Sequence, residues 1–351
     1  MSELTPEQRK AMREARDAML ARARAKGSGK RLSYALQAAA LFPLVGLLKL
    51  LPIDVASATG GWIGRALVTR LLDRPAHFET MRVAFPQASD AELGAMLVEM
   101  CDHLGRVLGE VVHLKDFAGP ANPRLVIKGA DAVAKARRPG QGVLFIGGHF
   151  GNWELIPVAL REAGFDGVSV VQHPNNPYVV QWIAAERYRT GHREQVGAGE
   201  GVYAALRRAL KAGGVAAMLA DQRVLNGIKA PFFGVETTTN LIPARLARDL
   251  GAVVVPMSNR RIGGAHFEVV LGSPMEVRRT EDRAADERAV TAQINRFYED
   301  QIRAAPASWL WGHPRFDDAF YELDARGTRL GRKAGASIPP GGMKPGGART
   351  R

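Results

Sequence analysis

Gly142-Val143-Leu144-Phe145-Ile146-Gly147-Gly148-His149-Phe150-Gly151-Asn152-Trp153-Glu154 is an apolar run that empties into a glycine-rich turn. Leu155, Ile156, Val158, Ala159 and Leu160 follow it in a helical pattern. The unit reads strand, turn, helix, and similar units lie on either side. Further strands are expected at 125–128, 167–171, 215–219 and 252–256, with a last, polar-edged one at 266–271. Helical segments are expected near 152–163, 176–190, 201–212, 241–250 and 284–304. Short β-rich runs separated by helices of ten to fifteen residues predict an α/β domain, a three-layer sandwich around a largely parallel central sheet.

The turn carries the chemistry. In open α/β sheets ligands bind beyond the carboxyl ends of the strands. Three glycines around one histidine allow close backbone approach, which packing alone does not demand. Glu154 lies five residues after His149, a position from which its carboxylate can reach an imidazole nitrogen. A carboxylate there selects the tautomer and raises the basicity of the other nitrogen, as general-base work on a hydroxyl requires. The start of the following helix supplies N–H groups that can face developing negative charge. A histidine-to-glutamate pair at this spacing is common, and a helix-capping histidine beside a solvated glutamate is the competing structural reading.

The chain has 351 residues with a formal net charge of +13, 46% hydrophobic and 24% charged residues. This composition excludes a wholly disordered chain, a collagen and a multi-span membrane protein. The single cysteine, Cys101, excludes an intrachain disulfide and a multi-cysteine zinc site. No His, Cys and Asp cluster has ligand spacing, so no metal is expected. Gly197, Gly199 and Gly201 are wrongly spaced for a dinucleotide loop, and neither a Walker-type Gly-Lys-Ser/Thr nor a Gly-x-Ser-x-Gly elbow occurs.

The positive charge is concentrated at the ends. Residues 1–31 hold nine basic and four acidic side chains, and residues 326–351 hold seven basic and none acidic, which leaves +1 on residues 32–325. A nucleic-acid-binding domain concentrates basic residues on its folded part, so nucleic acid is not an expected partner. Basic ends around a neutral body suit an anionic membrane, where each Lys or Arg contributes on the order of 1 kcal/mol. Solvated tails are the bland alternative.

Thr5-Pro6-Glu7-Gln8 has the form of a helix start, and that helix should run to about Ala25 and stop in Gly27-Ser28-Gly29. Leu32–Leu51 then holds one charge, Lys49, over about the length that crosses a hydrocarbon core. Pro43, Pro52 and Gln37 weaken a straight span, and a second apolar stretch runs from 53 to 72. The organisation expected is a basic N-terminal helix at 1–31, an apolar membrane-associating segment at 32–72, a catalytic domain at 73–325 and a disordered basic tail at 326–351. Residues 91–112 place Leu93, Met96, Leu97, Met100, Leu104, Val107 and Val111 on one helical face, with Cys101 and His103 read as structural.

Gly148 followed by His149-Phe150-Gly151-Asn152-Trp153-Glu154 resembles the signature of the bacterial lipid A biosynthesis late acyltransferases, within the wider lysophospholipid acyltransferase superfamily. Further blocks agree in order: Phe85-Pro86, Asn176-Pro177 leading to Arg187-Tyr188-Arg189, Asp221-Gln222, Pro231-Phe232-Phe233-Gly234 with Thr237-Thr238-Thr239, and Trp309-Leu310-Trp311-Gly312-His313-Pro314-Arg315-Phe316. Pro314 stands where the family usually has a second Arg. The resemblance covers about residues 30–318.

It implies an O-acyltransferase that moves a fatty acyl chain from acyl carrier protein to a hydroxyl of a lipid A precursor, with no cofactor. His149 and Glu154 would be the catalytic pair. Arg187, Asp221, Asn152 and Gly148 would bind substrate or stabilise the oxyanion, with Arg189 a competitor of Arg187 and backbone N–H groups of the turn assisting. Alanine at His149 or Glu154 is expected to abolish transfer and leave the fold intact. The implied location is the cell inner membrane with the catalytic domain facing the cytoplasm, where the carrier protein is. Basic residues before Leu32 keep the N-terminus inside, so a single complete span would put His149 on the wrong side. A hairpin, a re-entrant element or an interfacial helix is therefore expected. Another glycolipid or lysophospholipid acceptor is the alternative within the enzyme class, and an inactive membrane-surface binding protein is the alternative outside it.

Overall fold

Alternate residues of the strand read first enter two different apolar clusters. In the computed structural model Val143 and Phe145 join one and Leu144 and Ile146 the other. The structure describes residues 4–25, 28–71, 74–191, 193–199, 201–323 and 329–332. Its strands are β1 (Leu125–Lys128), β2 (Val143–Gly147), β3 (Val168–Val171), β4 (Glu194–Gly197), β5 (Val215–Leu219), β6 (Ile228–Phe232), β7 (Val235–Thr239), β8 (Val253–Gly263), β9 (His266–Leu271), β10 (Tyr321–Leu323) and β11 (Arg329–Arg332).

Seven of these form one sheet in the order β1-β9-β8-β2-β5-β3-β4. Every neighbouring pair in it is parallel except β8 with β9, a hairpin closed at Gly263 and Gly264. The chain is thus a mixed α/β protein with a mostly parallel sheet, and each of the six predicted strands lies in it. β4 was not expected: Glu194-Gln195-Val196-Gly197 has one strong β-former and sits at the sheet edge, so little in its composition marks it. The hairpin of β6 and β7 was also missed. Its turn places Phe233 and Gly234 at φ +47° and +76°, the two-positive-φ geometry that joins twisted strands, with a Phe where Asn or Gly is usual.

The N-terminal helix Pro6–Ala25 starts as its sequence predicts. Thr5 Oγ1 accepts from the Gln8 N–H at 3.1 Å, and Gln8 Oε1 accepts from the Thr5 N–H at 3.0 Å. Its Met12 packs with Ala184, Ala185 and Tyr188 of the helix Pro177–Thr190. Of the expected break, Ser28 and Gly29 already belong to the next helix, Ser28–Leu50, and Gly27 lies outside the described residues. Pro43 lies inside that helix. Its stretch Gly29–Leu50 is apolar and long enough to cross a membrane, and only 11% of its most apolar window is buried.

The second apolar stretch behaves differently, because small residues seat it on the body. Ala56, Gly60 and Gly64 face Cys101, Gly105 and Gly109 of the helix Asp90–Glu110. A Cβ on Gly64 would stand 2.0 Å from the Cys101 carbonyl oxygen, and one on Gly105 would stand 2.1 Å from that of Gly60. Two four-residue repeats of small side chains let the backbones touch. Gly105→Ala is therefore expected to destabilise the protein by about 1–3 kcal/mol through overpacking. Gly94→Ala on the same helix, whose Cβ would find only Phe78 at 3.9 Å, should be neutral or stabilising by up to about 1 kcal/mol. Urea denaturation of the two variants checks the contrast.

Two boundaries of the expected organisation fall at or beyond the edge of the described residues. Leu72 and Asp73, where the catalytic domain was to begin, lie outside the described residues. Of the tail expected to be disordered from Arg326, Arg329–Arg332 forms a strand antiparallel to Tyr321–Leu323, since Arg and Gly there pair through their backbones. The rest of the tail lies outside the described residues.

Candidate active site

The register of two neighbouring strands builds the centre of the site. Gly147 of β2 pairs with Leu219 of β5. His149 and Asp221 each stand two residues further on, so the parallel strands deliver them side by side at their carboxyl ends. Asp221 Oδ2 accepts from the His149 N–H at 2.8 Å, and Oδ1 lies 2.9 Å from His149 Nδ1. The indole N–H of Trp309 also donates to Oδ2, at 2.7 Å. Asp221 is 1% exposed, whereas the His149 side chain keeps 19% of its surface open. Burial disfavours the imidazolium, but the charge and hydrogen bond of Asp221, aided by the charge of Glu154, outweigh it, and the His149 pKa is raised above its ordinary 6.5. Burial likewise opposes ionisation of Asp221, and the His149 contacts with the Trp309 bond overcome it, so the Asp221 pKa is lowered.

Glu154 was expected on the imidazole. Its carboxylate instead meets Arg187 in a two-point pair, Nε to Oε2 at 2.8 Å and Nη2 to Oε1 at 2.6 Å. Both residues are 9% exposed. The reason is geometric: Nδ1 is taken by Asp221 from the adjacent strand, while Glu154 leaves the turn toward the helix Pro177–Thr190. Arg189, the competing arginine, points elsewhere and pairs with Glu186 at 3.2 Å. Arg187 also reaches the Gln172 carbonyl at 3.4 Å.

The turn between His149 and Glu154 is tightly held. Gly151 has φ +52°, and a Cβ there would meet the Asn259 carbonyl oxygen at 2.7 Å. Gly148 faces the Phe150 ring, which would lie 2.4 Å from its Cβ. Asn152 is fully buried and caps the turn, its Oδ1 accepting from the Glu154 N–H at 3.1 Å. Several backbone N–H groups expected to face an oxyanion already have acceptors: those of His149, Phe150, Gly151, Glu154 and Leu155 bond to Asp221, Gly148, Ser308, Asn152 and Asn152.

A cleft opens at His149. Its walls are Trp153, Glu154, Ile156, Pro157, Val170 and Val171, with Arg187, Ala217, Met218 and Leu219. Ser169 and Gln172 complete the lining, so one charged pair and two polar side chains sit beside His149 in a largely apolar trough. The C-terminal block closes the site from the other side: Leu310 N–H donates to the His149 carbonyl at 3.0 Å, and Trp309 bridges to Phe150. Trp309 had no role assigned from sequence beyond its place in the closing block, and its bond to Asp221 was not legible because the two residues are 88 apart. Gln222, adjacent to Asp221, brings its amide nitrogen to 3.4 and 3.5 Å from the two His149 ring nitrogens. Arg315 holds Asn295 and Thr239 and has no part in the cleft wall.

The family profile of the bacterial lipid A biosynthesis acyltransferases matches residues 26–318. The chain belongs to that family. It is an acyltransferase of lipid A biosynthesis. It is 27% identical over 249 residues to the lipid A biosynthesis palmitoleoyltransferase of Escherichia coli K12, an alignment covering 68% of this chain and 76% of the relative. The lipid A biosynthesis acyltransferase of Shigella flexneri is similar to the same extent. The lipid A biosynthesis lauroyltransferase of Escherichia coli K12 is 25% identical over 276 residues, which cover 76% of this acyltransferase and 86% of the relative.

Proposed function

We propose that the acyltransferase moves a fatty acyl group from an acyl carrier protein thioester to a hydroxyl of a lipid A precursor, with His149 as general base. The observation that carries this reading is the Asp221 carboxylate on His149 Nδ1, at the mouth of a largely apolar trough. That bond leaves Nε2 as the nitrogen to accept a proton. The acceptor hydroxyl gives its proton to Nε2 as its oxygen forms a bond to the thioester carbonyl carbon. The tetrahedral oxyanion collapses, the carbon–sulfur bond breaks, and the thiolate leaves with the proton returned by the imidazolium. No acyl-enzyme and no cofactor enter. Glu154 acts at the site through Arg187 and through its charge near the ring, and the apolar wall from Pro157 to Leu219 receives the acyl chain.

We read the body as three layers, an arrangement supported by the two apolar clusters that β2 and β5 feed alternately. We read the helix Gly29–Leu50 as holding the protein on the cytoplasmic face of the inner membrane, a reading supported by its apolar composition. It is about 33 Å long, which is span length. However, the Tyr34 carbonyl accepts from Asn176 at 2.8 Å and the Leu48 carbonyl lies 3.0 Å from His113 Nε2. Two anchors about 21 Å apart along the axis hold the helix along the body. That favours an interfacial helix, exposing Leu32, Leu36, Leu44 and Leu47 to lipid, and it removes the conflict between a basic, inside N-terminus and a cytoplasmic active site.

The test is purified protein with an acyl carrier protein thioester and a lipid A precursor, read by mass spectrometry across pH. The product should gain one acyl group. Because His149 must be unprotonated and its pKa is raised, activity should fall with acid from above pH 6.5. Asp221→Asn removes the raising charge, so the acid limb should move to lower pH while the maximal rate drops. An acid limb unmoved in Asp221→Asn would contradict the assignment, and transfer only to a lysophospholipid would identify the other acceptor.

A further inference from the structure

Glu110 is the last residue of the helix Asp90–Glu110 and is fully buried. Its two oxygens receive three side chains from distant parts of the chain. Ser57 Oγ donates at 2.6 Å, Asn152 Nδ2 at 2.9 Å, and Arg261 forms a two-point pair through Nη1 and through Nη2 at 3.1 Å. Arg261 is held in turn by the Gly264 carbonyl at 2.7 Å and by the face of Phe267, 4.5 Å from its guanidinium carbon. None of these groups lines the cleft.

The consequence lies in Asn152. An amide has a donor end and an acceptor end, and they are interchangeable in shape. Glu110 offers Asn152 only acceptor oxygens, so the amide nitrogen must face it. The amide oxygen is then turned to the Glu154 N–H, which it caps. Asn259 grips the same residue from a third side, donating to the Asn152 carbonyl. We infer that Glu110 is a positioning residue for acyl transfer: it holds the Asn152 amide in the one orientation that caps the turn between His149 and Glu154. Ser57 and Arg261 anchor the other side of its carboxylate, so the second apolar stretch, through its helix Ile53–Ile63, and the β8–β9 hairpin bear on the catalytic turn through one group.

This inference rests on the acyl-transfer reading above, and the experiment separates the two. E110Q presents an amide that can turn its N–H₂ toward the Asn152 nitrogen, whereas N152D presents a second carboxylate to Glu110. In the E110Q/N152D double variant the bond re-forms with its direction reversed, and the aspartate still caps the Glu154 N–H. Each single variant should lose about 10- to 100-fold in kcat, as a misplaced catalytic group does, with KM for the acyl donor within about twofold. The double variant should regain most of that loss. Gly213→Ala, at φ +71° with its Cβ 2.7 Å from the Gly140 carbonyl oxygen before the amino end of β5, supplies a variant of lowered melting temperature that touches neither Glu110 nor Asn152.

Double-variant rescue beyond the better single variant supports the assignment. It is overturned if the double variant is no better than either single one, or if Gly213→Ala at equal loss of melting temperature loses as much kcat as E110Q. A wild-type protein that transfers no acyl group under any donor would overturn the functional reading and this assignment with it. Wild-type transfer without rescue would overturn only the role of Glu110.

Discussion

Replacing His149 with alanine is expected to reduce acyl transfer about 10²- to 10⁴-fold, the range a general base contributes. The protein should remain folded. Asp221 would lose the imidazole on Oδ1 but keep the His149 N–H and the Trp309 indole on Oδ2. Leaving one oxygen of a buried carboxylate unmatched costs about 1–3 kcal/mol, which a domain of this size tolerates. Mass spectrometry of the product, beside a thermal melt of the same preparation, separates the two effects. Turnover near the wild-type level in a folded His149→Ala protein would sink the proposed mechanism. A second check is the pH profile, since whatever transfer survives the substitution should no longer fall off with acid at the His149 limb.

The largest effect on stability is expected at Glu154 and Arg187. The sequence alone suggested that alanine at Glu154 would abolish transfer and spare the fold. The structure argues otherwise, because the pair is buried and bidentate. Glu154→Ala strips the guanidinium of its carboxylate, and removing one partner of a buried pair costs about 3–5 kcal/mol. Arg187→Ala should cost a similar amount, and Arg187→Lys should recover only part of it, because an ammonium cannot make the two-point contact. Replacing both residues with methionine should restore much of the stability without restoring transfer. Chemical denaturation of the four variants measures this. A Glu154→Ala protein within about 0.5 kcal/mol of wild type, the usual span of a neutral surface change, would show that the pair is not holding the site.

These two expectations mark how far the sequence could be read. The strand ending at Gly147, the turn and the following helix are local features, and apolar runs and glycines reported them faithfully. The capped helix start at Thr5 is equally local. Hidden from such reading were short elements with weak composition, namely β4 and the hairpin with Phe233 at positive φ. Among site residues, His149 was legible from its setting at a strand end. Glu154 was legible as a nearby carboxylate, but its partner was not. Glu110 carried no signal at all, since a glutamate at the end of an amphipathic helix is ordinarily solvated.

Periodicity, chain punctuation and the glycine-rich turn thus dictated an α/β chain with a histidine presented at a strand end and an apolar helix ahead of it. They did so because each depends on residues within one or two turns of one another. Which carboxylate meets the imidazole was decided by the pairing of Gly147 with Leu219 across two parallel strands. The path of the helix Pro177–Thr190 settled where the arginine goes. The placement of Ser57, Glu110, Asn152 and Arg261 around one buried charge belongs to the tertiary structure for the same reason: hydrogen bonds between residues 42 to 151 positions apart leave no periodic trace in the chain.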